Sequence, residues 1–396
     1  METREENPKI DGEEERYMDL NQLRNEIDEI DNELIKIFEK RMDASSKIAH
    51  FKKENNIPVY DPEREREKLY ELSGKVKKSR EAYVTALYSL LFELSRSDQE
   101  QIINHPSEIT NKIQNAIKDT EWVMPNRTVI ACQGTEGAYA QLAAEKLFSL
   151  PSIMYFNNFE GVFSAIDSGL CSFGILPLEN STAGSINQVY DLMMKFPFSI
   201  VRSIRLKIDH CLLAKEGVKI SDIKEVYSHE QALSQCSGYL KTLGCKVTVC
   251  ENTAVAAEMV SKSLRNDIAA LSSRNCSMLY GLNRLAESVQ DHDNNYTRFI
   301  CISKTLSIYP GADKTSLMLT IPHKPGSLYK ILSRLYVYGV NLIKLESRPI
   351  PSRDFEFMFY FDLEIPVYSP ALIQVLRELN DICDEFYYLG SYTEQI

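Results

Sequence analysis

Basic and amide side chains recur at helical spacing in the first hundred residues of the chain. Arg41 and Lys52 are 11 residues apart, so both lie on one stripe of a helix, about 16 Å apart along its axis. Arg24 lies about 100° from that stripe and could serve the same pocket only if the helix crosses a partner. Ser95 and Gln99 follow at i, i+4 on a later helix. Taken singly, such residues are typical of a solvated helix face, whereas together they could form a cationic pocket that lacks a general base.

The order of the polar strings in this region resembles the all-helical class of chorismate mutase. The strings are Leu23-Arg24, Glu39-Lys40-Arg41, Lys52, Asp61-x-x-Arg64-Glu65 and Ser95-x-x-x-Gln99. The resemblance covers nearly the whole of residues 17–101. It implies an intertwined helical dimer in which the arginine matching Arg24 crosses into the partner's pocket.

This resemblance implies the rearrangement of chorismate to prephenate, which needs neither proton transfer nor a nucleophile. Catalysis then depends on holding the reactive conformer and on stabilising the charge that develops as the ether C–O bond breaks. The implied assignments are Arg24, Arg41 and Arg64 to the two substrate carboxylates, Lys52 and Gln99 to the ether oxygen, Glu65 to the substrate hydroxyl, and Asp61 and Ser95 to the polar lining. The implied catalytic residues are Arg41, Lys52, Glu65 and Gln99.

Polar strings also mark several strand-to-helix junctions in the middle of the chain. They are Gly134-Thr135-Glu136-Gly137-Ala138-Tyr139, Glu179-Asn180-Ser181-Thr182, Ser228-His229 with Gln231 and Gln235, and Asn252-Thr253-Ala254. Helix capping is the alternative explanation for each string taken alone. A glycine-rich turn before a helix exposes amides to an anion, but this turn is not GxGxxG and gives no support for a dinucleotide site. The Ser228-His229 pair lacks the GxSxG frame of a hydrolase nucleophile.

The string Asn294-Asn295-Tyr296-Thr297-Arg298-Phe299 favours one explanation for these junctions. Together with residues 178–182, residues 227–232 and Tyr280-Gly281-Leu282, it resembles prephenate dehydratase from about Thr128 to Ile302. The resemblance implies two α/β lobes around a cleft, a periplasmic-binding-protein-like arrangement. It implies Thr297 as the catalytic residue, Arg298 on a substrate carboxylate, and further substrate contacts from Glu179, Asn180, Ser181, Thr182, Ser228 and Gln235.

The implied reaction removes carbon dioxide and the ring hydroxyl from prephenate to give phenylpyruvate, with aromatisation as the driving force. A neutral hydroxyl such as that of Thr297 could polarise the leaving group while arginine and amides hold the carboxylates. The route of the proton stays open. The glycine-rich turn departs from the family, because Ala138-Tyr139-Ala140 replaces a Ser/Thr-Tyr-Ser run. Contacts from Gly134, Thr135 or Gly137 would therefore come from backbone amides.

Two further strings lie near the C-terminus, at a strand-to-helix turn and in a strand. They are Pro325-Gly326-Ser327-Leu328-Tyr329 and Glu346-Ser347-Arg348-Pro349. Residues 315–390 as a whole resemble an ACT domain, and the resemblance implies that phenylalanine binds between paired domains as a feedback inhibitor. The implied effector residues are Gly326, Ser327, Leu328, Glu346, Ser347 and Arg348. Ser327 and Tyr329 replace the usual Ala and Val, and a dimerisation domain without a ligand is the alternative.

A long helix must position the first group of residues. Leu23, Ile27, Ile30, Leu34 and Ile37 form an apolar seam with spacings of 4, 3, 4 and 3, which is typical of helices packed lengthwise on each other. The helical pattern continues to about residue 55, and a helix this long cannot bury its seam inside a small monomer. We therefore expect at least a dimer. No segment of the first ~105 residues alternates with period two, so this domain is predicted to be all-α.

The patterns of the other two regions predict different fold classes. From Arg127 onward, short apolar runs alternate with helical stretches, which favours a mostly parallel sheet covered by helices, arranged as two lobes around a cleft. Residues 316–389 follow a βαββαβ order, the ferredoxin-like plan of an α+β domain. We thus expect a multidomain protein with domains at residues 17–104, 126–303 and 314–392, preceded by a frayed tail and joined by a linker from His105-Pro106 to Pro125.

The composition disfavours several classes of protein. The chain has 396 residues and a net charge of −11, so nucleic acid is an unfavourable partner. It contains no apolar run of about 18 residues and no hydrophobic leader at its start, which disfavours a membrane protein. Nine cysteines without a CxxC pair indicate reduced thiols rather than disulfides or structural zinc. We expect a cytoplasmic protein that uses no metal or cofactor.

The combined interpretation is a bifunctional chorismate mutase–prephenate dehydratase with a regulatory domain. Its expected partners are chorismate, prephenate, phenylalanine and further copies of its own chain, as a homodimer or a higher homo-oligomer. Three alternatives stay open from the sequence: one of the two sites has decayed, the dehydratase prefers arogenate, or the protein is a regulator that binds aromatic metabolites without catalysis.

Overall fold

The computed structural model describes residues 20–103, 108–351, 353–354 and 356–396. The predicted N-terminal tail and the start of the predicted linker at His105-Pro106 lie outside these residues. The chain divides into two units between Pro106 and Ser107. The described part of the first unit is helical, as predicted, with α1 (Leu20–Glu54), α2 (Pro62–Ser73), a 3₁₀ turn (Lys78–Arg80) and α3 (Glu81–Ile103). The second unit begins with α4 (Glu108–Asp119), inside the predicted linker.

The first half of α1 keeps its apolar seam uncovered. The side chains of Ile27, Ile30 and Leu34 are 58%, 55% and 56% exposed. Farther along the helix, Ser45 and Ala49 are buried, where α1 packs against α3. A helix of this length gains most of its stability from packing, so the uncovered seam leaves its first half without that support in a single chain.

The second unit continues into a first lobe built on a large sheet. The elements that begin this lobe are β1 (Arg127–Gln133), α5 (Tyr139–Leu147), β2 (Leu150–Phe156), α6 (Phe159–Asp167), β3 (Phe173–Asn180), β4 (Gly184–Ser185), α7 (Asn187–Lys195) and β5 (Ser199–Lys207).

The chain then crosses into a second lobe with its own sheet. Its elements are β6 (Cys211–Ala214), β7 (Glu225–Ser228), α8 (Glu230–Gln235), α9 (Ser237–Leu243), β8 (Lys246–Val249), α10 (Thr253–Lys262), β9 (Ile268–Ser272), α11 (Arg274–Leu279) and β10 (Asn283–Ala286). The strand order of the second sheet is β10-β6-β9-β7-β8.

The chain returns to the first lobe in β11 (Tyr296–Ser303). This strand inserts antiparallel between β3 and β5, while β1 pairs in parallel with β2 and β3. Both sheets are therefore mixed, and the prediction of a mostly parallel sheet is only partly right. The reason lies in the topology, because a strand that returns from the other lobe enters the sheet from the opposite direction.

The last part of the chain forms a four-stranded sheet, which we call the C-terminal domain. Its elements are β12 (Lys314–Thr320), α12 (Ser327–Val337), β13 (Asn341–Pro349), β14 (Phe357–Glu364), α13 (Pro370–Ile382) and β15 (Glu385–Tyr392). The predicted βαββαβ order is present, with antiparallel pairing and strand order β13-β14-β12-β15. The predicted start of the third strand of this domain, Phe355, lies outside the described residues.

The C-terminal domain is joined to its surroundings by shared cores. Ile113 and Ala116 of α4 belong to its own hydrophobic cluster, so part of the predicted linker is folded structure. Met318 and Tyr360 belong instead to the cluster that fills one face of the first-lobe sheet. A final short strand, β16 (Glu394–Gln395), pairs with β5 at the edge of that sheet. The first lobe and the C-terminal domain therefore share a core and a sheet.

Three properties bear on the class of protein. Among the described residues, no helix combines the length and the apolar character that a bilayer crossing requires. All nine cysteines are free thiols. Within the same described ranges, no group of His, Cys, Asp and Glu side chains is arranged to hold a metal ion.

Candidate active sites

The helical unit holds Arg41 against the third helix. Its guanidinium donates to the Ser95 hydroxyl at 2.5 Å and to the Leu91 carbonyl at 3.1 Å, and it lies 5.7 Å from the centre of the Phe92 ring. Burial lowers the pKa of Arg41 from its usual value, but an arginine keeps its charge in a protein. The packing of α1 on α3 thus fixes a half-buried cation beside a hydroxyl.

Gln99 is the second buried polar residue of this cluster. Its Nε2 donates to the Ser45 hydroxyl at 2.9 Å, and Ser45 in turn donates to the Ser95 carbonyl at 3.3 Å. Its Oε1 is buried without a hydrogen-bond partner. A buried amide with one unsatisfied end is costly and is found where a ligand or water completes the site. Ser45 was not among the predicted residues, since a serine within a helical pattern carries no signal of its own.

Lys52 and Glu65 are half-buried and already engaged within the chain. Lys52 donates from Nζ to the Val59 carbonyl at 2.6 Å, which ties the end of α1 to the loop that follows. Glu65 is paired with Arg96 of α3, whose guanidinium lies 5.1 Å from the centre of the Tyr60 ring. Glu65 therefore accepts from an arginine that the sequence analysis did not select, and a substrate hydroxyl would have to compete with it.

The other three predicted residues of this unit do not join the Arg41 cluster within one described chain. Arg24 lies on the uncovered half of α1 and is exposed. Asp61 caps α2, because its Oδ1 accepts from the Arg64 backbone amide at 3.0 Å. The Arg64 side chain is exposed. A single chain therefore provides part of the predicted cationic pocket, and Asp61 acts here as a helix cap rather than as pocket lining.

A second site lies in the cleft between the two lobes of the second unit. This cleft encloses about 410 Å³ and is lined by Asn180, Gln235 and Thr297 among others. The chain crosses between the two lobes twice, from β5 to β6 and from β10 to β11. Asn180 ends β3 and Thr297 lies near the start of β11, and the two residues are direct partners in the antiparallel register. The structure therefore brings together three residues predicted from separate strings.

Hydrogen bonds around Thr297 have a defined direction. Asn180 donates from Nδ2 to Thr297 Oγ1 at 2.9 Å, and its Oδ1 accepts from the Thr182 hydroxyl at 2.7 Å. Gln235 donates from Nε2 to Thr182 Oγ1 at 3.0 Å. Because an amide NH₂ can only donate, Thr297 must accept from Asn180. Its own hydroxyl hydrogen is left to donate elsewhere.

His210 and Asn295 hold the far end of this network, and neither was predicted from the sequence as a site residue. Asn295 donates from Nδ2 to Gln235 Oε1 at 2.9 Å, and the His210 ring places Nε2 at 3.0 Å from the same oxygen. Gln235 Oε1 can only accept, so His210 carries a hydrogen on Nε2. Burial lowers the pKa of His210, which favours the neutral ring. Both residues lie where the chain crosses between lobes, and a single sequence does not reveal such crossings.

Arg298 does not enter this cleft, so its predicted contact with a substrate carboxylate is wrong for this structure. Successive residues of a strand face opposite sides of the sheet, and Thr297 takes the cleft side. Arg298 is 4% exposed and forms ion pairs with Glu179 at 3.2 Å and with Asp362 at 2.5 Å. Glu179 lies on the same face and is likewise absent from the described lining of the cleft.

The lining of the cleft contains no lysine or arginine among the described residues. It includes the starts of α5 and α10, at Tyr139 and Thr253, and the rings of His210 and His229. Anions at such a site are bound by amides and by the positive ends of helices. The starts of these helices are therefore the candidate anion-binding groups of the cleft, which is also lined by Glu251.

Two of the predicted serines serve the structure of the cleft rather than its lining. Ser228 is fully buried and donates to the Leu271 carbonyl at 2.7 Å. Ser181 donates to the Asn294 carbonyl at 2.7 Å and accepts from the Tyr296 amide at 2.9 Å. Their hydroxyls are thus satisfied by backbone groups, which corrects their predicted role in direct contact with a substrate.

The glycine-rich turn also uses its amides internally. The Gly134 amide donates to the Phe156 carbonyl at 2.9 Å, and the Gly137 amide donates to Gln141 Oε1 at 2.7 Å. Thr135 has a buried hydroxyl without a partner. The expectation that amides of Gly134 and Gly137 bind a ligand is therefore not met in this structure.

The two C-terminal strings are placed differently from each other. Gly326 adopts a φ of +85° just before α12, and Ser327 and Leu328 open that helix. In β13, Glu346 accepts from the Ser185 hydroxyl at 2.6 Å. Arg348 pairs with Asp191 of α7 at 3.0 Å. Ser347 points to the other, exposed side of the strand. Glu346 and Arg348 thus contact the first lobe of their own chain.

Both parts of the chain are similar to known protein families. The family model for chorismate mutase type II matches residues 23–100, and the model for prephenate dehydratase matches residues 130–306. A bifunctional chorismate mutase/prephenate dehydratase of Escherichia coli is 30% identical over 382 residues, which is 94% of this chain and 96% of that protein.

Two further comparisons each cover 67% of this chain. A chloroplastic arogenate dehydratase/prephenate dehydratase of Arabidopsis thaliana is 36% identical over 279 residues, or 67% of this chain and 73% of that protein. The crystal structure of a prephenate dehydratase from Arthrobacter aurescens in complex with L-Phe superposes with a TM-score of 0.62 at 26% identity, covering 67% of this chain and 89% of that one.

Proposed function

The chain belongs to the bifunctional chorismate mutase/prephenate dehydratase family, and we propose that it performs two consecutive steps of phenylalanine biosynthesis. The helical unit rearranges chorismate to prephenate, and the cleft converts prephenate to phenylpyruvate. The product of the first site is the substrate of the second, which gives the fusion a chemical purpose. The proposed domains are residues 17–104, 126–303 and 314–392, and the proposed location is the cytoplasm.

The mutase site is completed by a second copy of the chain. One copy contributes Arg41, Ser95 and Gln99, which are held together by packing of α1 on α3. Arg24 of the partner subunit supplies a further cation for the substrate carboxylates. The uncovered seam of α1 supports this arrangement, since a partner helix would bury it. The β13 edge strand, with Ile343 and Leu345 each 38% exposed, supports a second contact between copies.

Within the mutase site, Gln99 is suited to donate to the ether oxygen. If the Ser45 hydroxyl turns its hydrogen away from the Ser95 carbonyl, the amide of Gln99 can rotate and accept that hydrogen through Oε1. Its NH₂ group then faces the substrate. Lys52 donates to the same oxygen after leaving the Val59 carbonyl. Together they stabilise the negative charge that develops on the oxygen as the C–O bond breaks.

The dehydratase proposal is carried by one observation, the hydrogen bond that Thr297 Oγ1 accepts from Asn180, which leaves the Thr297 hydroxyl available as a donor. Prephenate with one proton yields phenylpyruvate, carbon dioxide and water, as the ring C–carboxylate and C–OH bonds break. Thr297 donates a hydrogen bond to the departing hydroxyl, while Asn180 fixes the threonine oxygen. Donors fixed before the reaction stabilise the developing charge at no cost of reorganisation. The helix starts in the cleft hold the carboxylates.

The C-terminal domain is proposed as an ACT domain of ferredoxin-like fold that binds phenylalanine as a feedback inhibitor. Its βαββαβ order supports the fold. The relative solved in complex with L-Phe supports the effector. Gly326, Ser327, Leu328 and Ser347 are the proposed effector residues, with Glu346 and Arg348 linking them to the first lobe.

Arogenate is a second candidate for the substrate of the cleft, because the Arabidopsis relative carries arogenate dehydratase in its name. Arogenate differs from prephenate by an amine in place of the keto oxygen of the side chain. Comparison of kcat/KM for the two compounds decides between them. A higher kcat/KM for arogenate than for prephenate would make arogenate the substrate of this site.

The purified chain incubated with chorismate tests both activities together. The expected result is the disappearance of chorismate and the appearance of phenylpyruvate, followed by absorbance, with a transient of prephenate between them. Prephenate that accumulates without phenylpyruvate would refute the dehydratase proposal. Unchanged chorismate, with prephenate still consumed when supplied, would refute the mutase proposal.

A further inference from the structure

Two neighbouring residue pairs on β3 and β11 face opposite sides of the first-lobe sheet. In the antiparallel register Thr297 is opposite Asn180, and Arg298 is opposite Glu179. The first pair faces the cleft and holds its hydrogen-bond network. The second pair faces the C-terminal domain, and we call Glu179 and Arg298 the back pair. A shift of the back pair therefore moves the same two strands that carry Asn180 and Thr297.

The C-terminal domain holds both members of the back pair. Lys344 of β13 donates to Glu179 Oε2 and to the Ser185 hydroxyl at 3.0 Å. Arg298 donates to Asp362 of β14 at 2.5 Å and to the Tyr392 hydroxyl of β15 at 2.8 Å. Three strands of the C-terminal domain, β13, β14 and β15, therefore contact β3 and β11 of the first lobe.

The contact of Arg298 with Asp362 is buried, whereas Lys344 contacts a Glu179 side chain that is 30% exposed. The side chain of Lys344 is 14% exposed, and those of Arg298 and Asp362 are 5% and 9% exposed. Removing one partner of a buried ion pair leaves the other charge uncompensated. Asp362 is fixed from its other side as well, since its Oδ1 accepts from the Ser316 hydroxyl at 2.5 Å. Arg298 also pairs with Glu394 of β16 at 2.9 Å, so the C-terminal domain and the strand that follows it together set the geometry of the back pair.

We propose that Lys344 and Asp362 are positioning residues for the dehydratase reaction, acting through the back pair on Asn180 and Thr297. They touch no substrate and instead fix the spacing of the two strands that present the cleft residues. This inference rests on the dehydratase function proposed above. A misplacement of about 1 Å at a catalytic group costs up to a hundredfold in rate, so a restraint on the opposite face of the sheet affects the chemical step.

Substitution of Lys344 provides the test. Lys344→Met removes the ammonium group but keeps an apolar side chain over the Tyr190 ring, from whose centre Nζ lies 5.4 Å. We expect the dehydratase kcat to fall about tenfold while KM for prephenate changes less than about threefold, because the reacting geometry is altered and the carboxylate contacts are not. Lys344→Arg keeps the charge and should restore most of the kcat.

Lys304→Met is the matched control. Lys304 follows β11 directly and forms an exposed ion pair with Asp167 at 2.9 Å, and neither residue lines the cleft or contacts the C-terminal strands of the back pair. This variant should have wild-type kcat, since exposed pairs contribute little. The mutase rate should be unchanged in all three variants.

Several outcomes would overturn the inference. A kcat of Lys344→Met within twofold of wild type would show that the back pair does not position the cleft. An equal loss in Lys304→Met, or a parallel loss of mutase activity, would indicate general destabilisation. A raised KM with normal kcat would make Lys344 a binding residue. If the wild-type protein converts no prephenate at all, the proposed function fails instead, and this inference fails with it.

Discussion

The hydroxyl of Thr297 gains its role from its neighbours rather than from its own acidity. A free threonine hydroxyl is a weak acid, but Asn180 occupies its oxygen as a hydrogen-bond donor. Asn180 is itself oriented by Thr182 and Gln235, and Gln235 by Asn295. A fixed chain of amides therefore converts a group that could donate or accept into one that donates toward the cleft.

Thr297→Ala should remove this donor and spare everything in the helical unit. We expect the dehydratase kcat to fall by about 100-fold or more, as for other single donors to a developing charge, while the mutase rate stays at its wild-type value. Thr297→Ser keeps the hydroxyl and should lose far less. The two rates are measured separately, with prephenate and with chorismate as substrates. Loss of both activities in Thr297→Ala, or of neither, would contradict independent sites.

His210 should make the stability of the two-lobed fold depend on pH. Burial lowers its pKa in the folded state, whereas in the unfolded chain it titrates near 6.5. Above that pH the ring is neutral in both states and does not lower the free energy of unfolding. Below it the unfolded chain binds a proton that the folded state resists, so the free energy of unfolding falls as the pH drops.

This pH effect can be isolated with His210→Gln, which keeps a side-chain amide near Gln235. Urea unfolding at pH 7.5, 6.5 and 5.5 gives the free energy of unfolding for both proteins. The wild type should lose stability more steeply toward pH 5.5 than the variant does. Parallel slopes would mean that His210 titrates normally in the folded protein.

The sequence predicted the identity of the cleft residues better than the direction of their side chains. Asn180, Gln235 and Thr297 were found from a motif resemblance, and the structure brings them together. Arg298 was assigned to the cleft because it is adjacent in that motif, and strand alternation places it on the other side. His210 lacked a signal altogether, since its partner Gln235 is 25 residues away in the sequence.

Helix α1 is the element whose environment is least complete in a single chain. The spacing of its apolar residues predicted a seam packed along another helix, and the structure leaves that seam exposed. Strand β11 is an element that could be predicted from the sequence although its neighbours in the sheet could not. Its apolar character indicated a strand, but nothing local indicated that it runs antiparallel between β3 and β5, because its neighbours are set by the path of the chain through the second lobe.

Ile27→Lys should separate the two functions by disrupting the seam of α1. A lysine at an apolar seam position would bury a charge between helices, so Arg24 of the partner subunit would no longer reach the pocket. We expect mutase activity to fall by about 100-fold or more and dehydratase activity to persist. Asn32→Lys places the same charge on the outer face of the same helix and should behave as wild type. Full mutase activity in Ile27→Lys would contradict the dimer-dependent site.

The chain as a whole consists of two units that carry one proposed reaction each. Their division between Pro106 and Ser107 follows the change from helical to alternating patterns that the sequence shows. The change of period along the sequence indicates that two kinds of fold follow each other in the chain. The sharing of a core and a sheet between the first lobe and the C-terminal domain could not be predicted, since it depends on contacts more than a hundred residues apart in the chain.

Mixing two inactive variants should restore the overall reaction. Lys52→Ala lacks the proposed mutase group and Thr297→Ala lacks the proposed dehydratase group, so neither alone forms phenylpyruvate from chorismate. An equimolar mixture should form it after a lag, because prephenate released by one protein is captured by the other. The lag should shorten in proportion to total protein. A mixture that stays inactive would mean that prephenate passes only within one molecule.

The position of β11 between β3 and β5 determines the order in which the protein can be assembled during synthesis. Both flanking strands leave the ribosome with an open edge, and about ninety residues of the second lobe must follow before the strand that joins them is made. Open strand edges invite wrong pairing. The second lobe, whose strands are contiguous in the chain, can fold in the meantime. Strand β11, which bears Thr297, is thus the last central strand of the first sheet to be added. A nascent chain forms its cleft only after β11 has paired with β3 and β5.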